Sequence, residues 1–309
     1  MPGTPSSEPG PPDALGARSP GSRPDALGAR ETRELLERFE LRPRTSIGQH
    51  FMVDPNTVRR VVADAGVGPG SPVIEVGPGL GTLTRALVGA GCGVLAIERD
   101  KSLRPVLAET VGGLDRCEVS LQDAMEVDWP AALAAARRLA GAPADAPVSL
   151  VANLPYQISV PLILGLLEDV PQVASQTVMV QAEVGERLVA PAGHDAYGAV
   201  SVKVVALASA RVTFRVSRRV FLPMPEVESV VVRLDRRVEV ERSSLDPLWR
   251  VIEAGFAQRR KTLRRALRGA GFDASLVESA LERAGIDGSE RAERLDLAAF
   301  ERLAAALFS

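Results

Sequence analysis

The chain alternates between short apolar runs and longer segments in which apolar residues recur every three or four positions. The apolar runs predict strands at 73–76, 94–98, 117–121, 148–152, 177–182, 212–217 and 229–234. The helical spacing predicts helices at 82–90, 101–110, 130–140, 160–168, 183–190 and 198–209. Such alternation is typical of a mostly parallel, doubly wound α/β sheet, and the closely spaced last two strands predict an antiparallel edge.

The two ends of the chain differ from this middle part. Residues 1–30 are rich in proline and glycine, and the sequence of 12–18 recurs at 24–30, so we predict a disordered tail. Short helices are predicted from Thr32, as its cap, and at 56–65. After Leu245 only helical patterns occur. They predict one helix carrying Leu248, Ile252, Phe256, Leu263 and Leu267, then helices at 275–284 and 297–307.

Composition narrows the possible chemistry. The chain has 309 residues, a net charge of -2 and 46% hydrophobic residues, which is enough for a sizeable core. Neither a membrane-spanning run nor a secretory signal is recognisable. The two cysteines show no metal or disulfide spacing, and two histidines leave little for an imidazole-based triad or metal cluster. We therefore expect no metal, no membrane association and a cytoplasmic location.

A glycine-rich turn, Gly77-Pro78-Gly79-Leu80-Gly81, follows the first predicted strand of the sheet. The dinucleotide fingerprint requires glycine where Thr82 stands, and Pro78 lacks the N–H that a pyrophosphate would use. The turn therefore favours a nucleoside ligand without phosphates over NAD, although glycines needed only for the turn would also explain it.

Acidic and amide side chains follow the next strands. Glu98 is placed to accept hydrogen bonds from ribose hydroxyls, and Asp123 from an adenine amino group. For either acid alone, a solvated residue at a strand end is the better explanation. Together with Asn153 they occupy successive strand tips, a combination that S-adenosylmethionine (SAM) satisfies.

The segment Asn153-Leu154-Pro155-Tyr156 ends another apolar strand. The side-chain carbonyl of Asn153 and the main-chain carbonyl of Leu154 can accept both hydrogens of an exocyclic amine. Pro155 restricts the loop, and Tyr156 offers a flat face for a planar base. This segment predicts methyl transfer onto an amino nitrogen.

Several segments together resemble the KsgA and Erm family of rRNA adenine N6-dimethyltransferases. They are GQHFM at 48–52, VIEVGPGLGTLT at 73–84, AIERD at 96–100, QDA at 122–124, NLPY at 153–156, FLPMPEVES at 221–229 and QRRKTL at 258–263. Their order agrees from about residue 40 to the C-terminus. The last two resemble the KsgA branch, which acts on small-subunit rRNA, more than the Erm branch.

The resemblance implies a Rossmann-like SAM-dependent methyltransferase sheet with a small C-terminal all-helical domain. The implied division is a tail (1–30), a SAM-binding catalytic domain (31–239) and a helical RNA-binding domain (240–309). The implied SAM contacts are His50, Met52 through its backbone, Gly77, Gly79, Glu98, Asp123 and Asn153. The family usually has asparagine in place of His50 and a basic residue in place of Glu226, which leaves the contacts at both positions open.

The catalytic set that the resemblance implies is Asn153, Leu154, Pro155, Tyr156 and Phe221. The two carbonyls would accept the N–H bonds of adenine N6, and the rings of Tyr156 and Phe221 would sandwich the flipped base. Without the resemblance, a core aromatic is the better explanation of Phe221.

A basic run without acidic residues follows Phe256: Arg259, Arg260, Lys261, Arg264, Arg265 and Arg268. On one helix, Arg260, Arg264 and Arg268 would stack at i+4 spacing, which indicates an anionic partner such as RNA phosphate. A solvated helix face is the alternative.

The main hypothesis is a monomeric enzyme that uses SAM to dimethylate N6 of two adjacent adenosines near the 3′ end of 16S rRNA, on the pre-30S particle. The alternatives are an Erm-type 23S rRNA methyltransferase that confers macrolide resistance and a non-catalytic RNA-binding assembly factor. A NAD-dependent dehydrogenase is more distant.

Overall fold

The computed structural model describes residues 25–45, 48–237, 242–258 and 260–309. The strands are β1 (Phe51–Met52), β2 (Pro72–Val76), β3 (Gly93–Glu98), β4 (Cys117–Leu121), β5 (Val148–Asn153), β6 (Val173–Gln181), β7 (Ala208–Val216), β8 (Phe221–Leu222) and β9 (Ser229–Arg236). The helices are α1 (Ala29–Arg38), α2 (Pro55–Asp64), α3 (Thr82–Gly89), α4 (Arg104–Thr110), α5 (Trp129–Ala140), α6 (Ser159–Asp169), α7 (Ala182–Val189), α8 (Ala199–Leu207), α9 (Arg242–Phe256), α10 (Leu263–Gly269), α11 (Ala274–Ala284) and α12 (Leu297–Phe308).

The main sheet has the strand order β4-β3-β2-β5-β6-β9-β7. The first five strands are parallel, and β9 pairs antiparallel with both β6 and β7. This confirms the predicted α/β class and its antiparallel edge. From β2 the chain builds outward to β4, and it then returns to place β5 on the other side of β2. The order therefore reverses between β2 and β5, and ligands of open α/β sheets bind at the carboxyl ends of such a pair.

The central strands are covered by helices on both faces, so their side chains are apolar nearly throughout. Every residue of β2 and β3 is buried. Helix α2 begins with its N-cap Asp54 accepting from the amides of Asn56 and Thr57, and Asp128 caps α5 in the same way. Each cap satisfies main-chain amides of the first turn and so fixes where its helix begins.

Two arginines of β9 tie the antiparallel edge to the helices beneath it. The Arg236 guanidinium donates to the carbonyls of Leu166 and Leu167, at 2.8 and 2.9 Å, near the C-terminal end of α6. Arg233 donates to the carbonyl of Asp64, the last residue of α2, at 3.1 Å. Since the last carbonyls of a helix have no partner within it, a cation there also complements the helix dipole.

The strands β1 and β8 form a separate two-stranded sheet that the sequence pattern did not predict. Met52 pairs with Phe221, and Phe51 with Leu222. Each strand has only two residues, too few for a period-2 pattern to be recognised. The pairing fixes the segment before α2 against the loop that follows β8.

The C-terminal helices pack on the sheet domain through a shared hydrophobic core. The buried Tyr197 hydroxyl donates to the Leu295 carbonyl at 2.8 Å, and Lys203 on α8 donates to Glu253 on α9 at 2.7 Å. These contacts hold the helical region in one orientation relative to α8.

The predicted long helix after Leu245 is divided into α9 and α10, with residues 257–262 between them. The amides of Leu263 and Arg264 donate to the carbonyls of Glu290 and Gly288, at 2.7 and 3.1 Å. These bonds satisfy the first amides of α10 from outside, so a new helix starts there. Arg260 consequently lies outside a helix, which corrects the predicted i+4 series through Arg264 and Arg268.

Order also begins earlier than predicted. Ala26 and Leu27, inside the predicted tail 1–30, are buried, and α1 begins at Ala29 with Thr32 inside it. Leu27 belongs to the cluster of Leu35 and Val106, so an apolar residue of the second repeat copy has found a core. The rest of the predicted tail, 1–24, lies outside the described residues.

Candidate active site

A cavity of about 430 Å³ lies at the carboxyl ends of β2, β3 and β5. Seven of the predicted site residues contribute to its wall: His50, Gly77, Gly79, Glu98, Asp123, Asn153 and Pro155. These residues come from separate loops. The reversal of strand order between β2 and β5 brings the loops together.

Four predicted residues do not contribute to that wall: Met52, Leu154, Tyr156 and Phe221. Phe221 is 5% exposed and packs with Met52 in a core cluster, because the pairing of β1 with β8 buries both side chains. The predicted sandwich of a base between Tyr156 and Phe221 is therefore not formed in this structure.

The glycine turn is required by packing as well as by any ligand. Gly79 has a φ of +59°, and a Cβ there would lie 2.9 Å from the Phe51 ring. Gly81 has a φ of +84°, and its Cβ would lie 2.6 Å from Val111. Side chains at either position would force the turn open.

Glu98 is held at the end of β3 by main-chain amides. Its carboxylate accepts from the amide of Asp100 at 2.7 Å and from that of Gly79 at 3.3 Å. Burial raises the pKa of Glu98 above its ordinary value, and these hydrogen bonds only partly offset the effect. The carboxylate is thus oriented before any ligand arrives.

A polar strap, consisting of Arg44, Gln49 and Asp100, closes one side of the cavity. Asp100 accepts from Gln49 at 2.7 Å and from Arg44 at 3.0 Å, and the Arg44 amide donates to Gln49. Burial alone would raise the pKa of Asp100, but hydrogen bonds from Ser102 and Gln49 outweigh it and lower the pKa. The strap holds the segment before β1 against the tip of β3. The sequence pattern gave no role to Gln49 or Asp100, whose contact spans 51 residues.

Asp123 already has partners on both oxygens. One accepts from the Met125 amide at 3.0 Å, and the other faces Arg99 at 3.3 Å. The Arg99 side chain is 76% exposed, so this ion pair is weak and can be replaced by a ligand.

The side chain of Asn153 is oriented by a hydrogen bond that its amide nitrogen donates. Its Nδ2 donates to the His50 carbonyl at 3.4 Å, which leaves the side-chain oxygen directed away from that bond. The Leu154 amide donates to Met179 at 3.1 Å, while its carbonyl accepts from no amide in the described ranges. Of the two predicted acceptors, Asn153 lines the cavity, whereas Leu154 is 2% exposed and does not line it.

His50 and Tyr156 lie side by side near Asn153. The Nδ1 atom of His50 is 2.8 Å from the Pro223 carbonyl, so Nδ1 carries the hydrogen and donates. Burial raises the pKa of Tyr156, and hydrogen bonds with the side chains of Gln181 and Ser229 partly counter it. Both rings are therefore anchored at a polar atom.

Part of the predicted basic surface forms ion pairs within the protein. Arg264 and Arg268 both pair with Glu278 of α11, at 2.8 and 2.7 Å. The run itself contains no acid, but an acid of another helix neutralises part of the charge of these two arginines. Arg260, Lys261 and Arg265 are exposed and form no ion pair with another described residue. Arg259 lies outside the described residues.

Glu75, which sequence reasoning missed, is a fully buried carboxyl two residues before the glycine turn. It accepts from the Thr84 hydroxyl of α3 at 2.6 Å, so one bond spans the turn. Burial raises the pKa of Glu75 to about 8, against the Thr84 hydrogen bond and with a contribution from Glu98. A lone acid within the apolar strand Val73–Val76 was the available signal.

Among the described residues, no cluster of three or more histidine, cysteine or acidic side chains could hold a metal ion. Within the same ranges, no helix combines the length and hydropathy required to cross a bilayer.

The fold and the cavity together define a class, the Rossmann-like methyltransferases with an appended helical region. Solved structures agree: the 23S rRNA methyltransferase ErmE has a TM-score of 0.63 at 26% identity, covering 84% of this chain and 100% of that one. A dimethyladenosine transferase from Plasmodium falciparum shares the fold, with a TM-score of 0.66 at 24% identity, covering 82% of this chain and 96% of that one.

Sequence comparison is more specific. The model of the family "Ribosomal RNA adenine dimethylase" matches residues 40–307. A protein from Rhodococcus opacus (strain B4), "Ribosomal RNA small subunit methyltransferase A", is 45% identical over 89% of this chain and 92% of its own. A protein of the same name from Nocardia farcinica (strain IFM 10152) is 44% identical, over 89% and 93%. The chain belongs to the ribosomal RNA adenine dimethylase family.

The buried Glu75 makes stability depend on pH. Its pKa is about 8 when folded, against 4.5 ordinarily, so between these values the folded protein holds a proton that the unfolded chain has lost. The free energy of unfolding should therefore fall as pH rises from 4.5 to about 8. Glu75→Gln should remove this slope. The free energy of unfolding of the variant should therefore rise relative to that of the wild type by up to about 1.4 kcal/mol for each pH unit in this range.

Urea unfolding at several pH values measures this effect, and Glu126→Gln, at an exposed acid, is the matched control. Parallel pH dependence of Glu75→Gln and the wild type would contradict the assignment of a protonated carboxyl.

Proposed function

We propose that this protein transfers methyl groups from SAM to the N6 atoms of two adjacent adenosines near the 3′ end of 16S rRNA. The names of its small-subunit relatives support the target, and their 45% and 44% identity exceeds the 26% shared with ErmE. The observation that carries the chemistry is the orientation of Asn153, whose amide bonds the His50 carbonyl and leaves its oxygen for an amine.

The residues of the cavity fit SAM. A volume of about 430 Å³ lies in the range of small-molecule sites. Glu98 is placed at a strand end for ribose hydroxyls, and Asp123 can exchange the exposed Arg99 for an adenine amino group. Gly77 and Gly79 bring main chain to the cavity wall. When bound, SAM supplies a methyl group on a positively charged sulfonium, which needs no further activation.

The protein's part in the reaction is to orient the nucleophile. The lone pair of adenine N6 is delocalised into the ring, so N6 must become pyramidal to attack. The Asn153 side-chain oxygen and the Leu154 carbonyl accept its two hydrogens and favour that geometry. They also stabilise the positive charge that develops on N6 as it takes the methyl group. The N6 proton is then lost to solvent, and the transfer needs no side-chain base.

RNA phosphates would bind to the part of the basic surface that is free. Arg260, Lys261 and Arg265 are exposed, and Arg264 and Arg268 share only one carboxylate. The net positive charge left after this pairing attracts phosphate without sequence specificity. We infer a monomer that works on the pre-30S particle in the cytoplasm, where this RNA is assembled.

Asn153→Ala should lower the rate of methylation roughly 100- to 1000-fold, the usual cost of removing one oriented charge-stabilising group. RNA affinity should be largely retained, because the basic surface is distant in sequence and unchanged. Asn56→Ala, at the other asparagine of the chain, is the matched control. Transfer of labelled methyl groups to 30S precursor particles measures the rate, and near-normal activity of Asn153→Ala would refute the acceptor role.

Affinity for S-adenosylhomocysteine, the demethylated product of SAM, should fall in acid. Ribose hydroxyls donate to the ionised Glu98, whose pKa is raised by burial, so protonation below that pKa opposes binding. The loss should approach tenfold per pH unit. Calorimetry over a pH series measures it. Glu98→Gln should bind more weakly at neutral pH and lose this acid dependence; a variant with the wild-type slope would exclude Glu98.

Arg260→Glu combined with Lys261→Glu should weaken RNA binding and reduce the slope of affinity against salt concentration by roughly one unit per lost phosphate contact. Arg237→Glu is the control, since Arg237 follows β9 at the end of the sheet opposite to the carboxyl ends of the parallel strands. Filter binding at several salt concentrations gives the slopes. Equal slopes for the wild type and the double variant would remove this surface from the RNA interface.

A further inference from the structure

A short segment before α1, Asp25-Ala26-Leu27, packs against the sheet domain. Ala26 and Leu27 are 7% and 5% exposed, so both side chains are buried. The segment precedes residues 40–307, the part of the chain that matches the family model. The match to the family therefore does not account for its contacts.

The two buried side chains belong to different hydrophobic clusters. Ala26 lies in the cluster that contains Met52, and Leu27 lies in the cluster that contains Phe51. Phe51 and Met52 are the two residues of β1, and successive side chains of a strand point to opposite faces. The segment therefore adds to the core on both faces of β1.

The strand β1 depends on such packing for its position. It has two residues and pairs with the two residues of β8, and an isolated pair of strands is marginally stable at best in water. Phe51 lines the cavity and also supports the glycine turn, since a Cβ on Gly79 would lie 2.9 Å from its ring. His50, which directly precedes β1, lines the cavity as well. A displacement of β1 would therefore change the cavity wall at several points.

A hydrogen bond to its main chain ties the same segment to the glycine turn. The Nε atom of Arg85 donates to the Asp25 carbonyl at 2.8 Å, and a second nitrogen of this guanidinium donates to the Thr110 carbonyl at 2.7 Å. The Arg85 amide donates to the Gly81 carbonyl at 2.9 Å, in the first turn of α3. Arg85 therefore connects Asp25, the end of α4 and the glycine turn. The Asp25 carboxylate also pairs with Arg59, but both side chains are more than half exposed, so this ion pair adds little.

We propose that Asp25, Ala26 and Leu27 form an N-terminal anchor that holds β1 and the glycine turn in place, and that Leu27 is a positioning residue for SAM binding. The proposal rests on the proposed function. Leu27 does not line the cavity, and it acts through the wall residue Phe51, which belongs to the same cluster.

The anchor acts on the fraction of molecules whose site is ready to bind. Without the Leu27 side chain, β1 would leave its place for part of the time, and only the remaining molecules would offer a complete cavity wall. The apparent dissociation constant of the ligand rises as that fraction falls. Saturating SAM selects the competent molecules, so KM for SAM should rise while kcat changes little. A loss of global stability alone would instead lower the amount of active enzyme and leave KM unchanged.

The duplicated sequence supplies a matched control for the test. Residues 12–18 repeat 24–30, so Leu15 has the same neighbours in sequence as Leu27. The test protein carries Leu15→Ala and Leu27→Ala together, so that the first copy cannot replace the second. Leu15→Ala alone is the control for sequence context. Leu307→Ala is the control for lost stability, because Leu307 is 6% exposed and lies in α12, near the other end of the chain.

Calorimetry with S-adenosylhomocysteine, steady-state kinetics with varied SAM and thermal unfolding are measured for each protein. In the double variant, we expect the dissociation constant and KM for SAM to rise roughly tenfold, as when about one molecule in ten keeps a competent site. Leu15→Ala and Leu307→Ala should retain the wild-type values, even where Leu307→Ala lowers the unfolding temperature. Leu15→Ala with Leu27→Met should recover most of the affinity, because methionine conserves the buried volume.

A folded double variant with the wild-type dissociation constant would overturn the anchor. A lower kcat with unchanged KM for SAM would also overturn it, because Leu27 would then contribute only to stability. If the double variant does not fold, Leu15→Ala with Leu27→Val, which removes one methylene from the buried side chain, gives the same comparison. It should raise the dissociation constant by a smaller factor, and no rise would again contradict the proposal.

Failure of the proposed function has a different signature. A wild-type protein that binds S-adenosylhomocysteine but methylates no adenine would refute that function, while the comparison of dissociation constants would still decide whether the anchor positions the ligand site.

Discussion

The reversal of strand order between β2 and β5 is the constraint on which the site depends. It places the glycine turn, the end of β3 and the Asn153 segment around one crevice, although they are far apart in the chain. Parallel strands also bury both faces of the sheet, so polar groups at their ends lie in a medium of low dielectric constant. In such a medium, the hydrogen bonds of a few correctly placed oxygens and amides are stronger than they would be in water.

The same burial raises the pKa of two acids near the site, Glu75 and Glu98. Glu98 accepts hydrogen bonds from the main-chain amides of Asp100 and Gly79, which favour its carboxylate form against the effect of burial. Glu75 on β2 is fully enclosed, and burial raises its pKa to about 8 although the hydrogen bond from Thr84 favours the ionised form. Two acids on the neighbouring strands β2 and β3 therefore serve different purposes. One faces the ligand site, and the other joins the strand to α3 across the glycine turn.

The elements of the sheet could be predicted because their signals are local. Apolar runs and glycine turns fall within a few residues, and the resulting order of strands and helices agrees with the structure. The position of Glu98 and Asn153 at strand tips followed from the same patterns. The pairing of β1 with β8 could not be predicted, because two-residue strands leave no period and their contact spans most of the chain. The neutralisation of Arg264 by Glu278 likewise depends on how α10 and α11 pack.

The most direct test is a structure of the protein bound to S-adenosylhomocysteine and the 3′ region of 16S rRNA. The account predicts one adenosine extruded from the RNA, with N6 within about 3.2 Å of both the Asn153 side-chain oxygen and the Leu154 carbonyl. An adenine bound with N6 turned away from these oxygens, or held outside the crevice between β2 and β5, would contradict it.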